Sequence, residues 1–207
     1  SAGLTSAVSS SFAVLAGDAS AVSVVTQPSN ATGGTAFSTQ PVVHIVDAEA
    51  NLAVSPGNVS VAITGGTGDA DATLSGTTTV AAVNGVASFT DLSIDKAASG
   101  YTLTFSVSGL TSGVSSSFLV TSGSASALQF STQPVGERVG RRLRVQPVVA
   151  ITDAAGNTVN STAAISLSLT GGAGTTGATL GGTATINAAS GVATFSGLRI
   201  DLLGQGY

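Results

Sequence analysis

The chain has no cysteine, which excludes disulfides and thiolate chemistry, and its single histidine leaves little from which to build a proton shuttle or a zinc site. Methionine and tryptophan are also absent. Charge is scarce: 6 Lys+Arg and 10 Asp+Glu among 207 residues give a net charge of −4. That balance cannot supply the positive field that holds nucleic acid or an anionic bilayer. No apolar run approaches the length that spans a membrane, so no membrane insertion is expected of this segment. What the chain does have is 43% hydrophobic residues, mostly Ala and Val, interrupted by Ser, Thr and Gly every second or third position. Such a composition lies far from that of disordered chains, and a packed core is expected.

An internal repeat organises the sequence. Thr26-Gln27-Pro28 returns as Thr132-Gln133-Pro134, Gln40-Pro41-Val42-Val43 as Gln146-Pro147-Val148-Val149, and Gly85-Val86-Ala87-Ser88-Phe89 as Gly191-Val192-Ala193-Thr194-Phe195, always 106 residues apart. Extended backward, the same register pairs Ser11-Phe12 with Ser117-Phe118. Residues 1–17 therefore read as the terminal strand or strands of a preceding unit, 18–123 as one complete unit, and 124–207 as a unit lacking its last strands. The expected setting is a long tandem array.

Comparing the copies shows which positions face inward. Val59, Val61 and Ile63 become Ile165, Leu167 and Leu169, while the intervening Ser60, Ala62 and Thr64 become Ser166, Ser168 and Thr170. An apolar period of two marks a half-buried strand. The same test assigns inward positions to Val22/Val24 with Leu128/Phe130, Val43/Ile45 with Val149/Ile151, Ala87/Phe89 with Ala193/Phe195, and Leu92/Ile94 with Leu198/Ile200. Leu103/Phe105/Val107 and Val114/Phe118/Val120 complete the set. Turn signals such as Asn84-Gly85 and Ser99-Gly100 separate the runs. The expected fold is all-β: tandem antiparallel β-sandwiches of the immunoglobulin-like (Ig-like) kind, with about seven strands per unit.

Val46-Asp47-Ala48-Glu49-Ala50-Asn51 and Thr152-Asp153-Ala154-Ala155-Gly156-Asn157, each followed by an alternating strand, then Asn84-Gly85-Val86-Ala87 or Ser190-Gly191-Val192-Ala193, then Ser99-Gly100-Tyr101-Thr102-Leu103, resemble the tandem bacterial Ig-like domains of invasin- and intimin-type surface proteins. The resemblance covers essentially the whole chain. It implies an extracellular or cell-surface stalk or fibre whose partners are identical or neighbouring Ig-like units. The Asp47 loop carries Ala50 where the second copy has Gly156, so a different turn geometry is expected in the two copies.

Candidate sites are few. His44 alternates with the inward Val43 and Ile45 and is replaced by Ala150, which places it on an outer face and argues against a catalytic role. Without a second histidine or a Gly-x-Ser-x-Gly elbow between a strand and a helix, a hydrolase triad cannot be assembled, and neither enzymatic activity nor a cofactor is expected. Asp47 and Asp153 are read as turn-fixing carboxylates; Asp95 and Asp201 also recur in both copies. Asp69-Ala70-Asp71 has the nearest spacing to a calcium ligand pair, but its counterparts are Thr175 and Gly177. Tyr101 and Tyr207 occupy equivalent positions and resemble a tyrosine corner.

The anomaly is Glu137-Arg138-Val139-Gly140-Arg141-Arg142-Leu143-Arg144, whose counterpart Ala31–Ser38 is neutral and small. Arg138, Arg141, Arg142 and Arg144 can form a patch for surface glycans or another anionic partner, or a solvated edge that discourages strand pairing. A third reading is a compensated frameshift: a codon string such as GGG CGG CGC CTT CGC GTC would encode Gly140–Val145, and shifted by one base it would encode Gly-Gly-Ala-Phe-Ala-Ser, close to Gly34–Thr39.

Overall fold

The computed structural model describes every residue except 1, 2, 4, 55, 56, 137, 172 and 173. The described residues form strands, turns and irregular segments with no helix, and so none that is long and apolar enough to cross a membrane. In the first copy, Val42–Val46 is flanked by Ala21–Thr26 and Val86–Ser88, both antiparallel to it. A second sheet runs in the order Gly113–Val114, Leu103–Ser106, Asn58–Ile63, Thr79–Ala81. The core lies between these sheets: Val22, Val43, Ile45 and Ala87 from one pack with Val59, Val61, Leu103 and Phe105 from the other. The result is the Ig-like β-sandwich that the alternation called for. Phe118–Thr121 closes its side, antiparallel to Ala98–Tyr101 and parallel to Ala31–Thr32.

The repeated motifs have local causes. Asn84 and Gly85 (φ 50° and 81°) and Ser190 and Gly191 (48° and 84°) make two-residue hairpins, the left-handed backbone matching the twist of the flanking strands. The repeated glutamine of Gln40-Pro41 donates to the Leu92 carbonyl at 3.0 Å and accepts from the Leu92 amide at 3.1 Å; Gln146 does the same with Leu198. Both copies bulge at the same place, after Val24 and after Phe130.

The second copy repeats the arrangement of Ala127–Thr132, Val148–Thr152 and Val192–Thr194 in the same register. No strand ladder among the described residues joins the two copies, and each has its own apolar cluster. Three expectations need correction. Leu128 and Phe130 do not face a closed core; they are 59% and 42% exposed. In the first copy Gly113 rides over the backbone of Val22, whereas no described residue covers the equivalent Leu128 in that way. Val114 points outward; its neighbour Ser115 is buried instead, accepting the Leu103 amide at 2.9 Å. The inward phase therefore changes between Gly113–Val114 and Phe118–Thr121, which pair with different strands. Ala50 adopts the left-handed conformation of Gly156 (φ 65° and 81°), so the two turns share one geometry.

Candidate functional site

Each copy carries an aspartate loop after its central strand. Asp47 Oδ1 accepts from the amides of Glu49 (3.1 Å) and Asn51 (2.8 Å), and its Oδ2 accepts from the Gly17 amide (2.8 Å) and the Asn51 side chain (3.1 Å). Asp153 is bound in the same way by Ala155 (3.0 Å), Asn157 (2.8 Å), Gly123 (2.7 Å) and the Asn157 side chain (3.0 Å). The chain entering each sandwich is thus tied to a loop of that sandwich through one carboxylate. These donors favour the ionised form. The Asn51 side chain, followed by the Gly17 amide, holds the Asp47 carboxyl below its ordinary value. For Asp153 burial is the largest influence and pushes the value up, but the Gly123 amide and the other donors outweigh it and the carboxyl is lowered.

Asn157 does more than complete its own loop. Its Nδ2 donates to the Asp95 carbonyl at 2.8 Å and its Oδ1 accepts from the Ala97 amide at 2.8 Å, linking the second copy to the first. Lys96, between those residues, reaches the Ala155 carbonyl at 3.5 Å. The Tyr101 hydroxyl donates to the Lys96 carbonyl at 2.9 Å and so fixes the segment that Asn157 grips. Tyr101 is fully buried and stacks on Phe118 with ring centroids 5.9 Å apart. Burial raises its hydroxyl pKa; the Asp69 amide opposes the shift, and the Asp69 and Asp95 charges reinforce it. Tyr207 makes the equivalent bond to the Leu202 carbonyl at 2.9 Å but is 38% exposed.

The arginines form a separate feature. Arg138, Arg141 and Arg142 line an open cavity of about 810 Å³ together with Arg199 and Gly140, and among the described residues no acidic side chain shares that lining. Arg142 and Arg199 face each other across an antiparallel bridge, an arrangement of like charges that an anion would relieve. Arg144 is exposed and stands outside the cavity, and Glu137 lies outside the described residues. Sequence reasoning missed Arg199, although its counterpart Ser93 faces Ala36 just as Arg199 faces Arg142, so the copies differ at both members of one cross-strand pair.

The other candidates are local. His44 sits between Ser23 and Val86 on the face opposite Val43 and Ile45. Asp95 accepts the Thr73 amide at 2.7 Å; Asp201 accepts both the amide and hydroxyl of Thr179 at 2.7 Å, which lowers its carboxyl, the amide contributing most. Asp69 caps the Asp71 amide at 2.9 Å, and both lie at the rim of the crevice between the copies beside Lys96, Asn157 and Thr158. Among the described residues no group of three or more His, Cys, Asp or Glu side chains converges in a way that could hold a metal.

No protein-family model matches this chain, and no curated protein is significantly similar to it. A solved structure of FdeC, an Escherichia coli adhesin, is similar over 91% of this chain and 57% of that one, with 17% identity and a TM-score of 0.37. The present chain thus spans little more than half of that protein's length.

Proposed function

We propose that this chain is a segment of a bacterial extracellular fibre or cell-surface stalk of the invasin and intimin type, whose Ig-like units maintain length and orientation and catalyse no reaction. The observation that carries this reading is the joint at Asn157, where two sandwiches with separate cores are held by paired backbone-directed hydrogen bonds. Repetition of such a joint builds a stiff quasi-linear array. The reading extends to strand complementation between units. Phe12 and Val14 are 81% and 86% exposed, whereas their counterparts Phe118 and Val120 are buried in the first core. The second copy has an apolar cleft of about 450 Å³ lined by Leu143, Leu167, Leu180 and Tyr207, where a strand of the Phe12 type belongs by the repeat register. Inserted there, Phe12 would meet Tyr207 and Leu143, as Phe118 meets Tyr101 and Phe37. Burying one such ring contributes about 2–3 kcal/mol.

Negative-stain electron microscopy over a concentration series tests the pairing. The full chain should form beaded strings, and deleting residues 1–17 should leave single two-bead particles. Strings that survive the deletion, or a full chain that never associates, would rule out complementation between chains.

The arginine cavity favours a second reading, an adhesin module that binds acidic surface glycans. Binding to an immobilised sulfated glycan should weaken with salt and disappear in Arg141→Ser plus Arg142→Ser; binding that persists removes this reading.

A further inference from the structure

Asn51 and Asn157 occupy identical loops, with the same backbone and side-chain bonds to their aspartates. Their surroundings differ. Asn157 is 7% exposed because it is inserted between the Asp95 carbonyl and the Ala97 amide, while Asn51 is exposed and bonded only to Asp47 among the described residues. Both groups that Asn157 reads belong to the backbone, so the receiving loop is recognised by its shape and not by its side chains.

Shape depends on Gly33. A β-carbon there would lie 2.5 Å from Asn157 Nδ2 and 2.6 Å from the Asp95 carbonyl oxygen, closer than real β-carbons approach other atoms. Gly33 is not among the residues with a left-handed backbone, so its lack of a side chain is needed for space alone. Its amide donates to the Thr121 carbonyl at 2.8 Å, which keeps this edge from moving aside. The counterpart of Gly33 in the second copy is Val139, a β-branched residue.

We propose that the Asp47–Asn51 loop is a docking face for a preceding Ig-like unit of the first copy's type, one with glycine at the Gly33 position, and that Val139 closes the corresponding edge of the second copy to that joint. A rigid joint then requires two matched residues, an asparagine on the incoming loop and a glycine on the receiving edge. Units of the second type are stops or hinges. This rests on the reading of the chain as part of a stalk of such units.

The test uses the full chain with residues 18–123 duplicated in tandem, which sets a new Asn51 against the first Gly33. Because the chain has no cysteine, spin labels at Ser88→Cys in both copies of residues 18–123 report the new joint, and labels at Ser88→Cys with Thr194→Cys report the natural one. Both positions are exposed. Pulsed electron resonance should give one narrow distance peak for each joint. Asn51→Ala in the inserted copy, or Gly33→Val in the copy ahead of it, should abolish the narrow peak at the new joint only, and Asn157→Ala should do so at the natural joint only. Unchanged circular dichroism and a retained cooperative melt in the asparagine variants, slightly lowered by loss of the side-chain bond to the aspartate, separate loss of the joint from loss of the fold. A new joint that is broad in the parent, or that stays narrow in Asn51→Ala, overturns the proposal. Micrographs of the same samples keep the two readings apart: straight beads with swivelling joints leave the stalk standing and refute the clamp, whereas collapsed particles refute the stalk.

Discussion

Ala50 holds a backbone conformation that costs an L-residue about 1–2 kcal/mol, since its β-carbon crowds the following carbonyl. Glycine would relieve that cost but would add freedom to the unfolded chain worth about 0.5–1 kcal/mol. The balance favours Ala50→Gly by about 0.5–1 kcal/mol, measurable by urea denaturation, with the Asp47 bonds unchanged. Protonation of Asp47 or Asp153 has the opposite effect on the loop. Both carboxyls are held below the ordinary value of 3.8, so folding favours their ionised forms. Their contribution is therefore complete above the unfolded-state value and is lost as the pH falls through the lowered folded-state values. Melting temperature should accordingly show little dependence on these groups from neutrality down to the ordinary carboxylate range and should drop below it. Asp153→Asn should be less stable at neutral pH and lose less on acidification; a parallel acid profile would show that the carboxylate does not couple to folding.

At the scale of elements, the two copies differ in how their strands are supported. Asn58–Ile63 is paired on both sides, by Leu103–Ser106 and Thr79–Ala81, while among the described residues Ala164–Ser166 is paired only with Thr185–Asn187. A strand with one free edge opens more readily, so amides from 164 to 170 should exchange with solvent on the order of tenfold faster than those from 58 to 63. Equal protection in the two segments would contradict the open edge. The same contrast shows how far the sequence could be read. Alternation at Val59/Val61, the Asn84-Gly85 hairpin and the two cores were legible because side-chain period and turn chemistry are local. Leu128 and Phe130 had the right period but lacked a covering strand, something periodicity cannot report. Val114 was misread because the chain changes partners between residues 114 and 118. Asn157 looked like an ordinary turn residue, since its bonds to Asp95 and Ala97 span about sixty positions and nothing local announces them. Gly33 was equally silent because the groups that leave no room for a β-carbon there, the Asp95 carbonyl and the Asn157 side chain, are distant from it in sequence.

For the whole molecule, the question is whether the two copies unfold together. The first core buries three interlocking aromatic contacts, Phe37–Phe118, Phe89–Phe105 and Tyr101–Phe118, at centroid distances of 5.3, 5.5 and 5.9 Å. The second retains one buried phenylalanine, Phe195, with aliphatic neighbours, beside its open cleft. The Asn157 joint supplies two hydrogen bonds, about 1 kcal/mol each net, too little to couple two separately packed cores of such different composition. Calorimetry should therefore resolve two transitions, the lower belonging to residues 124–207. If strands of the 3–17 type complete the second sandwich, a peptide of that sequence added in trans should raise the lower transition and leave the upper one in place. At a hundredfold excess over its dissociation constant the stabilisation is about 2.7 kcal/mol. A peptide with Phe12→Asp and Val14→Asp should have no effect, because charges cannot enter the cleft that Leu143, Leu167 and Tyr207 line. A single transition would mean that the copies are coupled through more than the Asn157 joint, and a wild-type peptide that moves neither transition would mean that the cleft is not a strand-binding site.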